Sequence, residues 1–479
     1  MCSSDLFLGA AGLLLVSGAR MLWYPVGWTA GFLVVLVLVA APLRRSGAYT
    51  LPDFAEARLG SRTVRSACSA LVVVLGWLYL LPQFQGAGLT LQAAVGAPAR
   101  LGPLVIGGVV LVNVCSGGMR SITLVQAFQY WLKLVALLVP ITVVAAVWWH
   151  AGRPETTTPP SSWSDPVAPG GIGLYTTYSL ILATFLGTMG LPHVIVRFYT
   201  NPDGRAARRT TLTVVGLLGL FYVVPPAYAA LGRVYAPDEG SADSLVLRLP
   251  HLVLPGIAGD VLTGLVTAGA FAAFLSTSSG LTIALAGVIG QSLGRHERLG
   301  RLGRLDGIGG FRVGATLAVV VPVAVALVAP DLGLARAVGL AFALAASTFA
   351  PLLTLGIWWR GLTDLGALAG LAAGAAGSAV ALAGVIVSPD LGGWAGALLG
   401  QPAAWTCPLA FAVMVTTSLA TRRRVRPDAA RILARLHRPE ERPGTTPSGR
   451  PVDRSPQDAD RPAQQAGRSP RGSAPPLTP

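Results

Sequence analysis

The chain has 479 residues, 53% hydrophobic and 12% charged, with a mean hydropathy of +0.61. Soluble chains average about 25% charged residues, so a soluble globular protein is excluded and a polytopic membrane protein is expected. The net charge of +15 is Arg in short loops and the tail, where lipid headgroups account for it, and is no nucleic-acid signal.

The N-terminus is polar and abrupt, and its first apolar run begins in mid-helix at Phe7. This predicts that residues 1–6 are not native and that the native chain starts further upstream. Twelve apolar segments follow, at 7–19, 23–43, 63–95, 102–116, 121–149, 172–198, 209–235, 258–292, 312–329, 334–358, 365–387 and 404–420. A span needs about 20 residues, so the first is too short, and the third, fifth and eighth should tilt or protrude. Cys2, Cys68, Cys115 and Cys407 are isolated, with neither metal spacing nor a disulfide framework.

Loop charge alternates. Sixteen Arg fall in one set of loops, from Arg44 to Arg360, and six in the opposite set, from Arg20 to Arg336. The positive-inside rule puts the richer set in the cytoplasm, joined by the tail from Arg422. The Thr, Pro and Ser-rich loop 150–171 then faces outside, and a second outer loop at 241–252 suits a short amphipathic helix. The run after Arg426, AARILARLH, reads as one or two amphipathic turns at the membrane surface. From Glu440 the composition is that of a disordered segment. No nucleotide-binding, DNA-binding or kinase module follows, and no obligate protein partner is evident.

Several polar residues lie at membrane depth. Gln83 and Gln85 follow Pro82 in the third segment and either bond neighbouring helices or face a polar pathway. Lys133, the single Lys, is expected to reach toward the cytoplasmic half. In the sixth segment Gly187-Thr188-Met189-Gly190-Leu191-Pro192-His193 should interrupt the helix, because Pro lacks the N–H that the helix needs. Pro192 can open the second half, whose free N–H groups would attract a carboxylate; the alternative is a kink that serves packing alone. Arg197 is expected to snorkel to the cytoplasmic edge, since charge at the bilayer centre costs about 2.5–3.5 kcal/mol. His193 is either a ligand contact or a helix-end histidine.

The eighth segment holds residues 270–280, AFAAFLSTSSG, with four successive hydroxyls from Ser276 to Ser279 and no acid or amide beside them. On a helix the Ala273 carbonyl and the Ser276 and Thr277 hydroxyls share a face. Such neutral oxygens suit a small hard cation. The other reading is that the hydroxyls bond back to carbonyls one turn earlier.

Residues 270–280, the run 190–200 (GLPHVIVRFYT) with the Asn201-Pro202-Asp203 that follows, and 43–59 (LRRSGAYTLPDFAEARL) resemble the sodium:solute symporter family. The Leu-Pro-His-Val-x-x-Arg-Phe block is similar to its cation/acetate, or monocarboxylate, branch, as are Gly117-Gly118-Met119 with Gln126, the stretch from Trp359 to Thr363, and residues 436–440. The resemblance implies an all-α, leucine-transporter-type fold of two inverted five-helix repeats, over 7–149 and 172–358, joined by the outer loop. Two peripheral helices would lie in 359–421 and a basic cytoplasmic tail in 422–479. It implies Na⁺ as coupling ion, a small carboxylate as substrate, no organic cofactor and a bacterial plasma-membrane location. The family's cation site maps onto Ala273, Ser276 and Thr277, and the substrate residues are expected to be Gln83, Gln85, Thr188, Met189 and His193. The first half of the first core helix, which supplies the other cation carbonyls in the family, has no counterpart here. Another small solute, such as proline, a sugar or pantothenate, and a symporter-like sensory domain are the alternatives.

Overall fold

The computed structural model describes residues 7–116, 119–156, 163–236, 242–294, 307–328, 334–388 and 391–438. The expectations for residues 1–6, Gly117, Gly118, Arg295 to Arg304 and the disordered tail lie outside the described residues. All the regular structure described is helical. In chain order the helices are α1 Gly9–Ser17, α2 Trp23–Val34, α3 Ala40–Ser46, α4 Leu51–Leu59, α5 Arg62–Val95, α6 Leu101–Ser116 and α7 Met119–His150. Then come α8 Gly170–Gly190, α9 Pro192–Tyr199, α10 Gly204–Tyr222, α11 Val224–Tyr235, α12 Leu245–Val253 and α13 Ile257–Gly294. The last six are α14 Gly307–Val328, α15 Leu334–Trp358, α16 Asp364–Val387, α17 Gly393–Gly400, α18 Ala403–Ala420 and α19 Ala429–His437.

Among the described residues, ten helical runs are long and apolar enough to cross a membrane, and α6 is a shorter apolar helix. Twelve separate segments were expected. The difference lies at the start, where the expected loop at Arg20 is one 3₁₀ turn, Gly18–Leu22, so α1 to α3 form a single run, Gly9–Ser46. Gly18 turns the chain at φ 75°, a conformation that glycine adopts at little cost. The three segments expected to tilt or protrude are helices longer than the roughly 20 residues a span needs, with 34, 32 and 38 residues in α5, α7 and α13.

The short amphipathic helix expected in the second outer loop is present as α12, which buries Leu245, Val246, Leu247 and Leu249. The amphipathic run near the C-terminus is α19, with a correction. Its apolar face, Ala429, Leu433 and Leu436, is buried against the protein rather than offered to lipid. The His437 ring packs edge-on to Trp358 at 4.5 Å. Lys133 is fully buried in the helix packing.

Helix ends follow local chemistry. Thr50 caps α4 by accepting from Asp53 N, with Pro52 in the first turn, and Gly60 closes the helix at φ 67°. Arg58 of α4 is buried and donates to the Gly356 and Trp359 carbonyls at 2.8 and 3.0 Å, satisfying the C-terminus of α15. Arg65 binds Asp53, Glu56 and Gln291, tying α5 to α4 and α13.

The centre of the molecule is α8 packed between α2 and α15. The approach is backbone to backbone: a Cβ at Gly187 would lie 2.5 Å from the Phe342 carbonyl oxygen, and one at Gly31 would lie 2.7 Å from the Phe185 carbonyl oxygen. Without a hydrophobic force between helices in lipid, small residues of this kind allow the contact.

Candidate functional site

The sixth segment is broken where the glycines and proline stand. α8 ends at Gly190, Leu191 is extended at φ −74°, ψ 121°, and Pro192 opens α9. Pro loses nothing at that position, and the Leu191 carbonyl accepts from both Val194 N and Ile195 N at 3.1 Å. Part of the N-terminus expected to face a ligand is therefore already satisfied within the chain.

The break opens onto a cavity of about 60 Å³ that is walled by α2, α5, α7, α8, α9, α10, α13 and α15. It brings together Thr188 and His193 from the broken helix and Ser276 and Thr277 from α13. The other expected site residues are not in its wall. Ala273, Gln83 and Met189 are buried beside it within their helices, and Gln85 is half-buried.

The hydroxyls in the wall differ. Thr188 Oγ1 bonds back to the Thr184 carbonyl at 2.6 Å, as do Ser347 and Thr348 to theirs one turn earlier. The Ser276 hydroxyl makes no hydrogen bond among the described residues, so back-bonding does not account for it. The next hydroxyl on the helix, Ser278, is buried and also without a partner there.

Aromatic rings form much of the remaining wall. Trp28 packs on Phe342 at 5.3 Å and Tyr79 on His193 at 5.4 Å. Trp28 Nε1 and His193 Nδ1 are buried with no hydrogen-bond partner among the described residues. Buried polar atoms are normally paired, so two orphans in one wall mark a place where something else supplies partners.

Arg197 does not snorkel. It is half-buried and lines the cavity with Gln126 of α7. Its guanidinium donates to Gln126 Oε1, while Gln126 Nε2 donates to the Ser276 carbonyl at 2.9 Å. The cost of central charge predicts an Arg at the membrane edge only where no polar partner lies within reach, and Gln126 supplies one here. Because the helix restarts at Pro192, a residue one turn along is still beside the break. Trp28, Tyr79 and Phe342 carried no polar signal in the sequence that would have singled them out.

A model of the sodium:solute symporter family matches residues 1–374. An uncharacterized symporter of Bacillus subtilis, YwcA, is 30% identical over 379 residues, covering 77% of this chain and 73% of the relative. Among solved structures, a Na⁺-coupled sialic acid symporter in a substrate-bound outward-open state superimposes with a TM-score of 0.63 at 14% identity, over 88% of this chain and 87% of that one. Mhp1, a nucleobase-cation-symport-1 family transporter in a closed conformation with bromovinylhydantoin bound, gives 0.54 at 14% identity, over 90% and 93%. The fold is thus the leucine-transporter type of these carriers, and the protein is a multi-pass membrane symporter that couples a small solute to Na⁺. By the family match across most of its length, the chain belongs to the sodium:solute symporter family.

Proposed function

We propose that the solute is a small monocarboxylate of the acetate, propionate and pyruvate class, imported with Na⁺ by alternating access. One observation carries the reading: an unbonded hydroxyl suited to a cation and unpartnered polar atoms suited to an organic ligand share a single small cavity. At about 10–15 Å³ per water-sized group, 60 Å³ accommodates roughly four to six such groups, a small acid rather than a sugar.

In this reading the cation rests on Ser276, Thr277 and the Ala273 carbonyl. Thr188 and His193 serve the carboxylate side, with Gln83, Gln85 and Met189 shaping the surroundings. The repeats run over 7–149 and 172–358, and the C-terminus is cytoplasmic by loop charge. With one Na⁺ per monoanion the net charge cancels and the chemical gradients alone drive uptake; each extra charge moved inward gains about 2.3 kcal/mol per 100 mV.

The test is radiolabelled acetate uptake into proteoliposomes with an inward Na⁺ or choline gradient, with propionate, pyruvate, proline, glucose and pantothenate as competitors. Na⁺-dependent uptake blocked only by the monocarboxylates supports the reading. Na⁺-driven uptake of a neutral solute with no response to carboxylates overturns it.

A further inference from the structure

Arg197 places a permanent positive charge in the cavity. A guanidinium does not lose its proton in a protein. Its Nη2 would lie 3.9 Å from a Cβ built on Gly280, and Gly280 is one helical turn beyond Ser276 and Thr277 on the same face of α13. Among the described residues no Asp or Glu pairs with it, and its side-chain partner is the neutral amide of Gln126. A charge withdrawn from water is ordinarily matched by an opposite one. Gln126 satisfies a donor without neutralising anything.

We infer that Arg197 is the residue that makes cation and substrate binding depend on each other. Its fork grips the carboxylate by leaving Gln126 Oε1, and the carboxylate cancels the field that otherwise opposes a cation on Ser276 and Thr277. This rests on the carboxylate reading given above. Arg is suited to the task because its planar fork matches a carboxylate with two parallel hydrogen bonds. Without the anion, Na⁺ and the guanidinium repel across a small cavity. With it, each is attracted to the charge between them. Thermodynamic linkage makes the effect mutual: the anion strengthens cation binding by the factor by which the cation strengthens anion binding. A neutral solute cannot perform the cancellation, so the same residue selects for anions.

The experiment measures ²²Na⁺ binding to the purified full chain with and without acetate, and the KM for acetate uptake, in the wild type, Arg197→Gln and Arg197→Lys. Acetate should tighten Na⁺ binding at least tenfold in the wild type and have no effect in Arg197→Gln. Arg197→Gln should also bind Na⁺ alone more tightly than the wild type and show an acetate KM raised at least tenfold. Arg197→Lys keeps the charge and loses the fork, so the KM should rise while the acetate dependence of Na⁺ binding persists. Unchanged acetate dependence in Arg197→Gln overturns the inference. If that variant does not fold, Gln126→Glu carries the test: an internal carboxylate beside Arg197 should abolish the acetate effect on Na⁺ binding, and an undiminished effect overturns the inference. A wild type that takes up carboxylates with Na⁺ while both variants match it sinks this inference alone. A wild type that moves only neutral solutes sinks the substrate reading with it.

Discussion

Gln126 holds Ser276 and Arg197 together, donating from Nε2 to the Ser276 main-chain oxygen at 2.9 Å and accepting from the guanidinium at Oε1. One amide thus fixes the distance between a fixed positive charge and the hydroxyl that makes no bond. A monovalent cation on that hydroxyl would share the cavity with the guanidinium and be repelled by it, so whatever neutralises the pair controls whether the cation stays.

Ser276 and Thr188 test which hydroxyl meets the ion. The Thr188 hydroxyl is already committed to the Thr184 carbonyl, and that of Ser276 is not. A hydrogen bond or ligand contact to a charged group contributes about 1.5–3 kcal/mol. Ser276→Ala should therefore raise the Na⁺ concentration for half-maximal uptake roughly 10–100-fold and leave the folded yield unchanged. Thr188→Val should shift it by less than about threefold. Equal Na⁺ dependence in Ser276→Ala and the wild type would show that the hydroxyl does not serve the cation.

The fold was largely legible because lipid forces long apolar helices, and these stand out in the sequence whatever their tertiary contacts. The break at Leu191 was legible for a related reason, since Gly and Pro act on the backbone locally. The orientation of Arg197 was not, because it depends on where the restarted helix points. Nor was the join between α1 and α2 at Gly18–Leu22, where a polar Arg20 suggested a loop and the chain instead makes one 3₁₀ turn. Trp28 and Phe342 look like any apolar core residues until the packing of α2 and α15 on α8 aims them at one space. The Ser276 and Thr188 hydroxyls could not be told apart by type or depth; only their partners separate them.

Pro192→Ala tests whether the break matters beyond packing. Alanine restores an N–H and removes the ring that clashes with the preceding turn, so α8 and α9 can join into one helix. Continuity would redirect α9 as a whole, moving the face that carries His193 and Arg197, and reorganise the cavity wall. Uptake should fall at least tenfold while the thermal midpoint stays level or rises. Retained uptake would mean that the interruption is a packing feature.

Gly187 and Gly216 separate close approach from ordinary helix preference. A Cβ at Gly187 would lie 2.5 Å from the Phe342 carbonyl oxygen, whereas one at Gly216 meets nothing within 4 Å. Gly187→Ala must push α8 from α15 and should cost about 1–3 kcal/mol, read as a lower unfolding temperature in detergent. Gly216→Ala, in the middle of α10, should gain up to about 1 kcal/mol from helix propensity. A Gly187→Ala protein as stable as the Gly216→Ala protein would contradict the backbone contact.

Arg58 offers a test of how the C-terminal end of α15 is held. It is buried, its charge disfavoured first by desolvation and next by Arg426, yet it reaches the Gly356 and Trp359 carbonyls that α15 leaves without helical partners. Its third nitrogen, Nη1, is buried with no partner among the described residues, so the arrangement is costly and only partly compensated. Removing it exposes what the compensation contributes. Arg58→Ala strands both carbonyls and leaves a void, which should lower stability by about 3 kcal/mol. Arg58→Lys supplies the charge but one point of donation instead of a fork, and should recover less than half of that. α15 carries Phe342 into the cavity wall, so the loss should also appear as weaker acetate uptake at temperatures where the wild type is intact. Unfolding curves of the three proteins in detergent decide the matter: coincident midpoints for Arg58→Ala and the wild type would mean that these carbonyls are satisfied by other means and that Arg58 contributes nothing to holding α15.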